Sequence, residues 1–135
     1  MDREIARARR ARRPLALVVI DVDGLKQVND ILGHASGDRL LTDVAAAWTG
    51  VLRKEDLLAR VGGDEFILVL PDTTTDRAGE VIDRLRGVRG PARGTRWSAG
   101  VAALREGECA DDLIDRADRR MYAAKRAGRA VEIGT

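Results

Sequence analysis

The stretch "RVGGDEFILVL", residues 60–70, sets two glycines and two acids ahead of a run of branched and aromatic residues. Val61 and the run from Phe66 to Leu70 read as apolar strand segments. Between them, Gly62 and Gly63 can take the φ > 0 conformations of a tight turn. A β-hairpin over about 57–70, closed by Pro71, follows from this pattern. Polar residues at such a tip need no function, because Asp64 and Glu65 would keep any turn in water. Their meaning depends on what the fold brings beside them.

Upstream, "LALVVI" at 15–20 is too short for a helix and rich in branched residues, as expected of a strand buried on both faces. From about 27 to 52 the apolar positions Val28, Ile31, Leu32, Leu40, Leu41, Val44 and Ala45 follow helical spacing, with a break expected at "GHASG" (33–37). Downstream, "DTTTD" offers an Asp or Thr N-cap to a helix with Ala78, Val81, Ile82 and Leu85 on one face. "GVRGPARG" is a loop. "TRWSAGVAAL" is a strand whose glycine marks a close approach. Residues 111–127 form the clearest helix, with Gly128 as its C-cap. "AVEI" closes the chain as an edge strand. Residues 2–13 read as a short, mostly solvated helix ended by Pro14. The pattern predicts one α/β (α+β) layer sandwich, a central mixed β-sheet surrounded by helices, with 1–13 as an Arg-rich N-terminal helix and 14–135 as the domain proper.

Bulk composition narrows the partners. The chain is 44% hydrophobic but 3% aromatic, so its core is built mainly from Leu, Val, Ile and Ala. Six Arg crowd residues 1–13 against Asp2 and Glu4. The remainder then holds 18 of the 24 basic and 20 of the 22 acidic groups, a net −2. Such a body has no general footprint for nucleic acid or for an anionic membrane. A single cysteine, Cys109, excludes an internal disulfide and suits a cytoplasmic setting. No apolar run approaches the roughly 20 residues of a membrane-spanning helix.

Asp21 and Asp23 stand where the first strand ends, and we expect at most one of them to share a site with the hairpin acids. If that strand neighbours the hairpin, Asp21 meets Asp64 at one sheet edge. Carboxylates and a backbone carbonyl converging there suit Mg²⁺ or Mn²⁺. Capping of the next helix explains the same two residues without a metal. Free N–H groups from Gly24 to Lys26 at a helix start favour phosphate. Lys125 and Arg129 flank a helix C-terminus, where they either complement its dipole or clamp a polyphosphate. Asn29 and Asp38 are an ordinary helix surface, or an amide and carboxylate able to read guanine N–H donors.

Four spaced segments make the chain resemble a known family. "GGDEF" at 62–66 is the signature of the GGDEF diguanylate cyclases. "DVDGLKQVNDILGHASGDRLL" from Asp21 is similar to that family's strand-to-helix segment. "SAGVA" (98–102) resembles its later strand, and "ADRRMYAAKRAGR" (117–129) its last helix. Together they cover roughly 14–130. The resemblance implies a fold like the palm of nucleotide polymerases and cyclases. It also implies condensation of two GTP into cyclic di-GMP with loss of two pyrophosphates, on a homodimer that faces two GTP-loaded domains. Asp21, Asp64 and Glu65, with the Val22 carbonyl, then resemble metal ligands, and Asp64 and Glu65 the catalytic acids. Gly62 and Gly63 would let the nucleotide lie on bare backbone. Asn29 and Asp38 resemble the guanine readers. Gly24, Leu25, Lys26, Lys125 and Arg129 resemble the phosphate grip.

"RKED" at 53–56 fits the family's Arg-x-x-Asp product-inhibition site, with Arg53 and Asp56 set to bind cyclic di-GMP and Arg84 as a third contact. An i,i+3 surface ion pair is the plain alternative. The family's opening segment, Asp-x-Leu-Thr-Gly-Leu, is expected to be missing, with 1–13 as a truncated start. Leu25 stands where the family prefers an aromatic. A non-catalytic module that binds GTP or cyclic di-GMP is the alternative reading of the whole.

Overall fold

The computed structural model describes residues 1–23, 25–88, 96–128 and 130–133. In chain order these form α1 (Asp2–Ala11), β1 (Leu15–Val22), α2 (Leu25–Leu32), α3 (His34–Thr49), β2 (Leu57–Arg60), β3 (Glu65–Pro71), α4 (Thr75–Arg86), β4 (Trp97–Ala103), α5 (Ala110–Arg126) and β5 (Val131–Ile133). The strands lie in the order β2-β3-β1-β4-β5. β1 runs antiparallel to both β3 and β4, whereas β4 and β5 pair in parallel, so the sheet is mixed as expected. The loop predicted at 87–94 lies mostly outside the described residues.

Helices on both faces explain why β1 is apolar along its length. Ala16, Val18, Ile20 and Val22 pack with Leu41, Val44, Trp48, Val81, Ile82 and Leu85 from α3 and α4. Leu15, Leu17 and Val19 point the other way, onto Ile5 and Ala8 of α1 and Leu113, Ala117 and Met121 of α5. α1 is mostly solvated as expected and buries Ile5 and Ala8. Three of the few aromatics concentrate in the first layer, with Trp48 edge-on to Phe66 at 5.5 Å and to Trp97 at 5.2 Å between ring centres. Thr74 caps α4 by accepting from the Arg77 N–H at 3.3 Å. Among the described residues, no helix is long and apolar enough to cross a membrane.

The break expected within 33–37 falls at Gly33, whose φ of 91° favours glycine, and divides the stretch into two helices. Two expectations are corrected. Ile31 and Leu32, which share the helical spacing of core positions, are 79% and 66% exposed. The reason is that α2 packs chiefly on α3 rather than on the sheet. Gly62 and Gly63 do not take positive φ. A loop over 61–64, closed by the Val61 N–H donating to the Glu65 carbonyl at 2.9 Å, is long enough to reverse the chain without it.

A buried charge pair anchors α5. Arg116 Nε meets Glu108 Oε2 at 2.6 Å, both side chains nearly inaccessible, and Arg116 also donates to the Ala103 carbonyl. Arg9 of α1 donates to the Glu108 carbonyl. Bonding to Arg116 holds the Glu108 carboxyl below its usual range, despite its burial. Arg116→Ala leaves that carboxylate buried without its ion-pair partner, the Arg105 N–H remaining, so urea unfolding should show a loss of about 3 kcal/mol at neutral pH. A lowered acid pKa gives stability present above the usual carboxylate range and lost as pH falls through the lowered value. The gap between variant and parent should therefore close in acid. An equal gap at all pH values would mean that the loss is one of packing alone.

Candidate active site

The site forms where β1 ends between β3 and β4. Asp21 pairs with Glu65 across one ladder and with Ser98 across the other, and residues directly opposite one another share a face. That face is the one covered by α5. The next step of the chain draws in the signature loop, with the Val22 N–H donating to the Asp64 carbonyl at 2.8 Å. The carboxyls of Asp64 and Asp21 lie within hydrogen-bonding reach of each other. Burial first, and then the neighbouring Asp21, raise the Asp64 pKa. Burial likewise raises that of Glu65, followed by the charges of Asp118, Asp21 and Asp64. Asp118, on α5, is an acid that the sequence reading missed. Its place in a helix of mixed charge gives no local signal that it faces the sheet edge.

Lys125 supplies the cation. Its ammonium sits 2.5 Å from Asp21 Oδ2 and 3.6 Å from Asp23 Oδ1, and bonding to Asp21 raises its pKa. One side chain thus touches both aspartates, because residues i and i+2 of an extended chain share a face. The expectation that Asp21 and Asp23 part company is corrected by that contact. α5 reaches this position because Gly100 has no side chain. A Cβ there would stand 2.1 Å from the Ala117 carbonyl oxygen and 2.2 Å from the Met121 nitrogen.

The remaining candidates fall on either side. Leu25 and Lys26 open α2, while Gly24 and Arg129 lie outside the described residues. Asn29 approaches so near that a Cβ on Gly37 would lie 1.9 Å from Asn29 Oδ1, a buried oxygen with no hydrogen-bond partner among the described residues. Asp38 is exposed on α3 and pairs with Arg60 at 2.8 Å. Gly63 has open space where a Cβ would point, and Gly62 has only the Glu65 Cβ at 3.6 Å. Neither turn geometry nor packing therefore requires both glycines, and each keeps bare backbone facing outward.

Arg53 and Asp56 form a tight pair, at 2.9 Å from Nη2 to Oδ1, with the Asp56 side chain 1% exposed. Arg53 also donates to the Pro71 carbonyl at 2.6 Å and to Thr73 Oγ1 at 2.9 Å, so it clasps the corner after β3. Arg84 stands exposed in the last turn of α4 and has no bond to either among the described residues.

The donors at the sheet edge are hard oxygens, the type that binds Mg²⁺ or Mn²⁺. Among the described residues no three acids stand as a ready-made cation cage. Asp21 and Glu65 stand opposite each other with Asp64 beside them, a set of hard oxygens that a divalent cation fits.

A mixed sheet with acids at the end of its central strand and on the adjoining hairpin defines a domain of the nucleotide-cyclase type. The chain belongs to the GGDEF diguanylate cyclase family: the family model described as "Diguanylate cyclase, GGDEF domain" matches residues 1–131. It is 36% identical to diguanylate cyclase DgcP of Pseudomonas aeruginosa over 96% of this chain, which spans 20% of the length of DgcP. The active GGEEF domain of a diguanylate cyclase from Vibrio cholerae superposes with a TM-score of 0.86 at 34% identity, covering 98% of this chain and 90% of that one. The GGDEF domain of DgcB from Caulobacter crescentus, solved in complex with c-di-GMP, gives 0.87 at 28% identity, covering 98% and 82%.

Proposed function

We propose that this domain, residues 14–135 with 1–13 as its leading helix, is a diguanylate cyclase. In this reading the 3′-oxygen of one GTP attacks the α-phosphorus of another held on a facing copy. The bond to pyrophosphate breaks, and a second such step closes the ring of cyclic di-GMP. The observation that carries the reading is the meeting of Asp21, Asp64 and Glu65 at one sheet edge within an undamaged signature. Asp21, Asp64, Glu65 and the Val22 carbonyl would hold the metal. When bound, Mg²⁺ or Mn²⁺ lowers the pKa of the attacking hydroxyl and neutralises charge on the phosphates.

The chain's own residues do the rest. One of Asp64 and Glu65 accepts the hydroxyl proton. Lys125 moves from Asp21 toward the phosphates, where Lys26 and Arg129 join it at the start of α2 and beyond the end of α5. The outward backbone at Gly62 and Gly63 lets the nucleotide lie close. Asn29 Oδ1, buried with no hydrogen-bond partner among the described residues, and Asp38 accept from guanine.

The test is incubation with GTP and Mg²⁺ or Mn²⁺ over a wide range of protein concentrations, assaying cyclic di-GMP and pyrophosphate separately. Product should rise more steeply than in proportion to enzyme, because two domains must meet. Measurable GTP binding with no product at any concentration would make this a binding module instead.

Product inhibition through Arg53, Asp56 and Arg84 is part of the same reading. Arg53→Ala should raise the cyclic di-GMP concentration needed for half-inhibition by about tenfold, through loss of a charge-assisted contact to guanine. Because Arg53 also clasps Pro71 and Thr73, the variant should melt somewhat lower. A lower melting point with an unchanged inhibition curve would leave Arg53 a purely structural residue.

A further inference from the structure

Arg60 precedes the signature and lies in none of the roles above, yet its guanidinium joins two halves of the site. Its Nη2 donates to Asp38 Oδ1 at 2.8 Å and to the Gly63 carbonyl at 2.9 Å, and its Nε donates to the Gly62 carbonyl at 3.2 Å. One planar group is thus tied both to the carboxylate proposed to read guanine and to the turn that carries Asp64 and Glu65. Asp38 is otherwise exposed on the first turns of α3, where a short carboxylate with two free torsions has no other restraint from a side-chain contact among the described residues.

We propose that Arg60 is the positioning residue for guanine selection, holding Asp38 in line and fixing it to the signature turn; this rests on the reading of Asp38 as a base contact. The chemistry favours cooperation over competition. A carboxylate has two oxygens and about four acceptor sites, so Oδ1 can keep Arg60 while the carboxylate still accepts the N1–H and 2-amino donors of guanine. Without Arg60, the carboxylate samples several rotamers and the donors of guanine meet it part of the time. Hypoxanthine, which lacks the 2-amino group, loses less than guanine from such disorder. Selectivity between the two triphosphates is therefore the quantity that Arg60 controls.

The test compares GTP and ITP, as KM, kcat and direct binding in the presence of Mg²⁺, for the parent, Arg60→Ala, Arg60→Lys and Asp38→Ala. Arg60→Ala should weaken GTP binding by about tenfold, the scale of one charge-assisted hydrogen bond. It should lower the preference for GTP over ITP, acting on KM more than on kcat. Arg60→Lys, with its charge but no fork, should recover only part of the preference. If Arg60→Ala fails to fold, Arg60→Lys carries the same comparison. An unchanged GTP:ITP ratio in the Arg60 variants, with a reduced one in Asp38→Ala, overturns the proposal and leaves the base reading intact. An unchanged ratio in Asp38→Ala as well overturns the base reading itself. Tighter GTP binding in Arg60→Ala would make the ion pair a competitor of the base, and the proposal would fall.

Discussion

Asp64→Asn should reduce cyclic di-GMP synthesis by on the order of 10³-fold while the folded domain, free of metal, melts slightly higher than its parent. The two effects have one cause. Asp64 stands against Asp21 in a half-dry edge, and its carboxyl pKa is raised. An acid whose pKa is higher folded than unfolded opposes folding when ionised. That cost is absent below the usual carboxylate range and grows as pH rises through the raised value. Asparagine removes it at neutral pH, for a gain on the order of 2 °C, since the group is partly exposed and screened. The difference should vanish in acid. Adding Mg²⁺ should reverse the ranking, because the parent gains binding energy that the variant lacks. Full activity in Asp64→Asn would remove this residue from the chemistry. A lower melting point at neutral pH would refute the crowding of carboxylates.

Gly100→Ala should be the most damaging small change in the molecule. A single methyl would fall 2.1 Å from one backbone atom of α5 and 2.2 Å from another, and neither can swing aside as a side-chain tip would. The helix must lift from β4 or the strand must buckle, at a cost of about 3 kcal/mol or more. Denaturant unfolding measures this directly. Whatever fraction folds should also be a poor cyclase, because the displaced helix carries Lys125 away from Asp21. A Gly100→Ala protein of parental stability would mean that α5 can draw back from β4 at little cost.

Sequence periodicity disclosed much of this architecture. The buried first strand, the hairpin, the caps of the helix after Pro71 and the last helix all carry their own local patterns, and the glycine of "SAGVA" marked the close approach of α5. The site was legible to the extent that its residues sit in the signature. Contacts between distant residues were not. Nothing near Lys125 in the chain says that it reaches Asp21, 104 positions away. The Glu108–Arg116 pair and the link from Arg60 to Asp38 are equally silent, since a charged residue in a chain with 34% charged residues draws no attention to itself. Local rules also misread two glycines. Gly62 and Gly63 fit a tight turn by composition, but the wider loop does not use their left-handed conformations. Ile31 and Leu32 keep helical spacing while facing solvent, because spacing reports a shared face and not what covers it.

α5 acts as a rigid arm, seated on β4 at Ala117 and Met121 and anchored by an ion pair nearer its start. Its fulcrum is the Glu108–Arg116 pair, held further by Arg9, and its working tip is the Lys125 ammonium nine residues on. At 1.5 Å per residue the arm is about 13 Å long, so a tilt of about 5° at that anchor carries the tip about 1 Å. Misplacement on that scale is enough to slow an enzyme by about 10²-fold. In the proposed cyclase the angular tolerance of catalysis is therefore set at the opposite end of β1 and β4 from the hairpin tip, where a small change in the loop before α5 would act as a fine adjustment of rate.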